Sequence, residues 1–414
     1  MAKLLYNLGI YLYYVAIRIA ALFNHKARLW VRGRKDWKHR LKEQVANIGG
    51  RPIVLVHCAS LGEFEQGRPI IESIKKQHPN YAVVLSFFSP SGYEVRKDYR
   101  EADLVCYLPL DTPVNARDFV KVLNPKIAIF IKYEFWINLL AALKARQVNT
   151  YIVSAIFREH HPFFKWYGGI FRRSLQAFTT LFVQDERSQV LLKSININNA
   201  IVCGDTRFDR VVAIRDNFKP MPEIDQFKGT SNLIIAGSTW PKDEDMVLSA
   251  FNQLKTRDIK LIIAPHNIEE TLLKDTVAKL DKYGLTYSVY TDGINEHAQV
   301  LVLNTIGLLS KIYYYADITY IGGGFNGGLH NCLEAAVYGK PISFSDTNYA
   351  KYKEAEDLVE MAAAVNVADA HELNEIWQVF FSDELTTQAI KVKTADYFQQ
   401  HSDVTGKILR SIPL

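Results

Sequence analysis

From residue 52 onward the chain alternates short apolar, β-branched runs with polar or amphipathic stretches. The first seven runs cover 52–58, 81–87, 104–108, 126–132, 149–154, 180–183 and 200–203, separated by segments such as 65–77 that read as helices. Each run is apolar throughout instead of alternating, the mark of parallel strands buried on both faces. The pattern breaks at 215–231, where Pro220, Pro222 and Gly229 punctuate a polar stretch; this segment reads as a linker. It restarts with runs at 232–237, 259–265, 286–290, 299–303, 318–322 and 341–344. Two successive arrays predict an α/β protein with two doubly wound, Rossmann-like domains facing across a cleft, at 43–214 and 232–414, the last helix being a candidate to pack back on the N-terminal domain. Ligands of such sheets bind beyond the carboxyl ends of the strands, so the strand-to-helix turns are where chemistry is expected.

Residues 1–42 form a separate segment. From Leu4 to Phe23 only Arg18 is charged, close to the ~20 residues that span a bilayer. Plotted as a helix, Asn7, Tyr11, Tyr14, Arg18 and His25 fall on one narrow polar stripe along an apolar rod. Such a stripe suits a helix lying in a membrane interface; a single span and a helix packed on its own domain are the competing readings. A cleaved signal peptide does not fit, because no small-x-small site precedes the basic run. Eight Lys and Arg from Lys26 to Lys42 follow, interleaved with Trp30 and Trp37. Cations and Trp in this position favour an anionic interface and keep the main body on its cytoplasmic side.

Net charge sharpens that division. The 414 residues carry a formal +5, yet residues 1–42 hold ten Lys and Arg against one acid, Asp36, a local +9. The other 372 residues carry −4, which argues against a nucleic-acid binder working through its whole surface. Four cysteines, at 58, 106, 203 and 332, form no CxxC and sit in apolar surroundings, so buried free thiols are expected and a disulfide framework is excluded.

Two turns stand out chemically. Cys58-Ala59-Ser60-Leu61-Gly62-Glu63 follows the first strand; Ser60 can cap the next helix, Gly62 allows a ligand close, and Glu63 lands in the first turn. The second runs from Gly322 through Gly323, Gly324, Gly327 and Gly328 to His330-Asn331-Cys332-Leu333-Glu334. A strand, five glycines and a helix suggest an anion site suited to phosphate, with Glu334 one turn into the helix and able to take ribose hydroxyls. Asp243-Glu244-Asp245 matches a metal-binding DxD, but a capping Ser238 or Thr239 and Pro241 make these acids ordinary first-turn residues. No HExxH, P-loop or GxSxG is present.

Taken in order, SLGE at 60–63, FSPSG at 88–92, YLPLD at 107–111, YEFWIN at 133–138, GDTRFD at 204–209 and HNCLEAA at 330–336 run across nearly the whole chain, preceded by LWVRGRK at 29–35. As a set they resemble the 3-deoxy-D-manno-oct-2-ulosonic acid (Kdo) transferases of Gram-negative lipopolysaccharide synthesis. The resemblance implies a GT-B fold and inverting, metal-independent transfer of Kdo from CMP-Kdo to a lipid A precursor at the cytoplasmic face of the inner membrane, without a cofactor. It makes Glu63 the general base, with Ser60 and Gly62 on the acceptor side. Pro265, His266, Ile306, Gly307, Leu308, Asn331, Cys332, Leu333 and Glu334 would hold CMP, and Arg207 stands where a transition-state-stabilising Lys is usual.

Departures from the family pattern are specific. Lys132-Tyr133-Glu134 stands where the strand usually ends in two glutamates, so a cation replaces the first carboxylate. Lys132 touching an acceptor phosphate and Glu134 taking over the missing role are both open. Ile137 replaces a Pro, Leu308 a Glu and His266 an Arg. Two alternatives remain: another GT-B glycosyltransferase or a sugar-nucleotide epimerase using a UDP-sugar, and a non-catalytic membrane-peripheral protein that works through its basic helix.

Overall fold

Strands apolar on both faces must be covered on both faces, and the chain builds two sheets of this kind. The computed structural model describes residues 2–254 and 258–414, in two compact units: residues 2–210 with Asp403–Leu414, and Val211–Ser402. The first unit holds β1 (Ile53–Cys58), β2 (Ala82–Phe87), β3 (Leu104–Tyr107), β4 (Ile127–Ile131), β5 (Asn149–Ala155), β6 (Thr180–Val183) and β7 (Ala200–Val202), all parallel, in the order β3-β2-β1-β4-β5-β6-β7. Every residue of β1, β2 and β4 is buried.

The second unit holds β8 (Asn232–Thr239), β9 (Ile259–Pro265), β10 (Tyr287–Val289), β11 (Val300–Val302), β12 (Ile318–Ile321), β13 (Ile342–Ser345) and β14 (Ala364–Val367), again all parallel, in the order β10-β11-β9-β8-β12-β13-β14. The apolar runs anticipate thirteen of these strands. β14 is missed because its four residues follow the alanines 362–363 and read as the continuation of a helix. The stretch 215–231 is not a bare linker either. It contains the helix Pro222–Lys228, whose Ile224 and Phe227 are buried and whose Lys228 bonds Asp317 at 2.8 Å. At the other end, Val404 and Thr405 donate their amides to Asp209 at 3.2 and 2.5 Å, and Ile408 and Ile412 join the core of the first unit with Ile70 and Ile74.

Three helices precede β1: α1 (Ala2–Ala20), α2 (His25–Gly33) and α3 (Trp37–Ala46). Helix α1 is oriented differently from the stripe reading. Tyr6, Asn7, Ile10, Tyr14 and Ile17 form its half-buried face; Tyr6 donates to the buried Asp111 at 2.7 Å and Asn7 accepts from Asn138 at 2.8 Å. Of the expected polar stripe, Asn7 thus serves one of the protein's own polar groups and Tyr14 is half-buried, whereas Tyr11, Arg18 and His25 stay exposed. Leu4, Leu5, Leu8, Leu12, Val15 and Ile19 point outward and are exposed. Among the described residues no helix is long and apolar enough to cross a membrane.

The basic run is likewise divided. The Arg34 guanidinium is buried over Trp30 at 3.8 Å, Tyr107 at 4.8 Å and Phe88 at 5.0 Å, and donates to the Leu108 and Phe88 carbonyls at 2.8 and 2.7 Å. Burial pushes its pKa down to about 9. Arg34 thus fastens α2 to the ends of β2 and β3 and is withheld from any external anion. All four cysteines are buried free thiols.

Candidate functional site

At the carboxyl end of β1 the chain turns into α4 (Leu61–Gln77). Ser60 takes the extended conformation of an N-cap, its hydroxyl accepting from the Glu63 amide at 3.5 Å. Glu63 reciprocates: its Oε2 accepts from the Ala59 and Ser60 amides at 2.5 and 3.1 Å, a capping box that fixes the carboxylate at the strand's end. Gly62 leaves open space, with no atom nearer than 4.0 Å to where a Cβ would stand. Glu63 has its pKa pushed up to about 7, first by burial and then by the negative charge of Glu134, against the opposing pull of the two amides and Lys132. A carboxylate tuned to that range suits a general base at neutral pH.

Glu134 arrives from the turn after β4 and is buried. Its Oε2 accepts from Trp136 Nε1 at 2.5 Å and lies 3.0 Å from Nε2 of His57, a fully buried residue of β1. Nδ1 of His57 lies 2.9 Å from the Ser86 hydroxyl and 3.1 Å from the Ser86 carbonyl, and Trp136 Nε1 also lies 3.2 Å from Nε2; with the proton on Nε2 the imidazole donates to Glu134, and with it on Nδ1 the imidazole donates to the Ser86 carbonyl. His57, Ser86 and Trp136 escape sequence reasoning because each sits inside an apolar run or motif where a buried structural residue is the ordinary expectation. Lys132, at φ +67, and Ser154, at φ +55, are left-handed residues at the ends of β4 and β5, a local strain typical of functional sites. The Lys132 amide donates to the Val153 carbonyl at 2.9 Å and its ammonium lies 5.4 Å from the Tyr133 ring.

Arg207 opens the helix Arg207–Asp216. Its Nε donates to the buried Asp205 at 2.8 Å, and Asp205 also accepts from Gln66 and Gln184. Burial would raise the Asp205 pKa, but Arg207 beside it brings it below the usual carboxylate range. Arg207 is thus a positioned cation. Its charge and that of Arg158 both act on Tyr133, which places it among the groups around the ends of β4 and β5.

The second unit gathers another set. Pro265 ends β9, and the His266 amide donates to the Thr239 carbonyl at 2.8 Å. The His266 ring is stacked between Trp240, at 4.7 Å and 23°, and His330, at 4.4 Å and 29°. Burial, then His266, pushes the pKa of His330 down to about 4, so this ring is neutral at ordinary pH. Ile306 is exposed, Gly307 has φ +91, and Leu308 caps the short helix Leu309–Ile312. Tyr313, just beyond that helix, fills the space beside Gly237 and feels the charge of Glu334. Asn331 donates to Glu334 at 3.2 Å, and Cys332 and Leu333 are buried; these last two support the turn from inside.

The glycine turn differs from expectation. The helix after it, Leu333–Ala336, is a single turn, so it supplies little dipole. The amides of Gly322, Gly323, Asn326, Gly327, Gly328 and His330 already donate within the fold. Close packing accounts for some of the glycines: a Cβ on Gly322 would lie 2.5 Å from the Ser238 carbonyl, and one on Gly324 2.2 Å from Ser345 Oγ, while Gly327, at φ +89, has open space around it. Two of the acids at 243–245, Asp243 and Glu244, bond within the fold. Buried Asp243 accepts from Tyr320, Trp240 and Gly323, each at 2.9 Å, and Glu244 accepts from Thr276 at 3.0 Å.

The chain thus has two parallel α/β units, the first carrying a carboxylate of raised pKa at the end of its first strand and the second a stacked imidazole set at its strand ends. Residues 35–210 match the family described as 3-deoxy-D-manno-octulosonic-acid transferase (kdotransferase). The 3-deoxy-D-manno-octulosonic acid transferase of Chlamydia trachomatis serovar A is 25% identical over 389 residues, 91% of this chain and 90% of that protein. The Aquifex aeolicus transferase is 26% identical over 328 residues, 78% of this chain and 83% of that protein. Among solved structures, the UDP-GlcNAc 2-epimerase of Neisseria meningitidis superposes with a TM-score of 0.62 at 13% identity, covering 86% of this chain and 98% of that one. The epimerase of Methanocaldococcus jannaschii gives 0.55 at 13%, covering 80% and 93%. These structures show the shared fold, and the sequence matches show a likeness to Kdo transferases along most of the chain.

Proposed function

We propose that the chain transfers Kdo from CMP-Kdo to a hydroxyl of a lipid A precursor, with inversion and without a metal or other cofactor. Glu63 takes the proton of the acceptor hydroxyl as its oxygen attacks the ketosidic carbon. The bond from that carbon to the CMP phosphate breaks, and its electron pair leaves with CMP. The observation that carries this reading is the capping box that fixes the Glu63 carboxylate at the carboxyl end of β1, where burial and the charge of Glu134 push its pKa up. A base matched to neutral pH contributes about 10²–10⁴-fold.

In this reading Lys132 and Arg207 supply positive charge near the reacting groups. Pro265, His266, the 306–308 turn and residues 331–334 hold CMP, His266 standing in for an arginine through its stacked face and ring nitrogens. Helix α1, with its outward leucines, rests in the cytoplasmic leaflet of the inner membrane, and the exposed cations of the basic run meet anionic headgroups. The test is transfer with purified full-length protein, CMP-Kdo and a tetraacyl lipid A precursor, alongside thermal shifts with CMP and UDP. Stabilisation by UDP and not CMP would point to the UDP-sugar alternative.

A further inference from the structure

The segment between β5 and the helix Gly169–Leu175 has a buried root and an exposed tip. Phe157 and Phe163 are buried, and Phe135 packs on Phe163 with ring centroids 4.7 Å apart. Arg172 clamps the backbone by donating to the Phe163 and Lys165 carbonyls, both at 3.1 Å. Gly168 completes the clamp, since a Cβ there would lie 1.9 Å from the Pro162 carbonyl oxygen. On this fixed base Trp166 is 90% exposed and Tyr167 55% exposed, their rings meeting edge to face at 5.6 Å. A tightly built turn that presents a Trp–Tyr pair to solvent forgoes burial its own root achieves a few residues away.

Charge and location indicate what covers the pair. Residues 160–173 contain Lys165, Arg172 and Arg173 and no acid. The turn stands at the same carboxyl edge of the first sheet as α1: Tyr133, after β4, meets His161 at 6.0 Å, while Asn138, five residues on, bonds Asn7 of α1. Helix α1 also reaches Phe88, after β2, through Tyr13 at 6.2 Å, and Asp111, after β3, through Tyr6. Glu63 lies between, after β1. We infer that Trp166 and Tyr167 form a second lipid contact, seated among the headgroups of an anionic bilayer on the β5 side of Glu63, beside α1, which docks over the turns after β2 and β3 and on Asn138 after β4. The inference rests on the membrane reading of α1 and adds an orientation to it: the lipid surface lies over the edge that carries Glu63. Indole and phenol rings favour headgroup depth, and Lys165 and Arg173 match anionic lipid, Arg172 being held by the carbonyls it clamps.

The experiment measures binding of the full chain to phosphatidylethanolamine vesicles with and without phosphatidylglycerol, by flotation and by quenching of tryptophan emission with brominated lipid. W166S/Y167S lowers partitioning onto anionic vesicles about tenfold, the loss expected for removing two interfacial rings, with an unchanged thermal transition. W166F/Y167F restores partitioning, and W166F removes the part of the quenching that Trp166 contributes. Equal partitioning of W166S/Y167S and the unaltered chain, or quenching unaffected by W166F, overturns the inference. So does binding of the intact chain to dispersed acceptor but not to vesicles. Vesicle binding needs neither donor nor acceptor, so failure of the transfer reaction is registered separately.

Discussion

His57 Nε2 and the Glu134 carboxylate stand 3.0 Å apart inside the first unit, joining the middle of its sheet to the turn that follows β4. Trp136 donates its N–H to the same oxygen, so Glu134 is held in place by the indole and, with the proton on Nε2, by the imidazole as well. Replacing one of them leaves a buried carboxylate short of a partner, at a cost of about 1–3 kcal/mol. H57L is expected to lower unfolding stability by that amount, and H57Q, which retains an N–H, by less. Chemical denaturation of the two variants measures the difference.

Glu63 carries the proton-transfer step in this account. E63Q keeps the shape of the capping box but cannot accept the hydroxyl proton. Turnover is expected to fall by about 10²–10⁴-fold while CMP still raises the melting temperature. Steady-state kinetics and a CMP thermal shift together check this, and near-normal turnover removes Glu63 from the mechanism.

The pH dependence follows from the charge on Glu134. Glu63 must be deprotonated to act as a base, so activity should rise with pH through a midpoint near its raised value of about 7. E134Q deletes the negative charge that favours the proton on Glu63, so the midpoint should move to lower pH, toward the ordinary glutamate range. A kcat/KM profile from pH 5 to 9 reads the shift. An unmoved midpoint means that the two carboxylates do not act on each other.

Asp243 offers a test of the DxD motif. It gathers one hydroxyl and two amide donors and bridges the start of the helix Pro241–Gln253 to the glycine turn. D243N should reduce stability by about 2–3 kcal/mol, the scale of hydrogen bonds to a charged group, and removal of divalent cations with a chelator should leave transfer by the intact protein unchanged. Restoration of a chelated enzyme by added metal would contradict the metal-independent mechanism.

Much of this architecture is written in the spacing of apolar runs. Runs such as 52–58 and 126–132 have no polar face to give to solvent, and parallel strands covered on both sides satisfy that requirement. What stayed hidden depends on tertiary partners. His57 is one polar residue in an apolar strand, and its pairing with Glu134 spans 77 positions. The five glycines suggest a phosphate cradle by composition, yet close packing against Ser238 and Ser345 accounts for two of them. The stripe on α1 was visible, but which side of it faces the protein was decided by Asp111 and Asn138, remote in sequence. Glu63 was legible because a first-turn acid after a capping serine at a strand end is a local pattern.

The most direct test of the central claim is a transfer assay with the full-length chain, CMP-Kdo and a tetraacyl lipid A precursor, read by product mass. The expected result is a product heavier by one or more Kdo units, released with stoichiometric CMP, and its loss in E63Q. Absence of that product from a folded protein that CMP does not stabilise would contradict it.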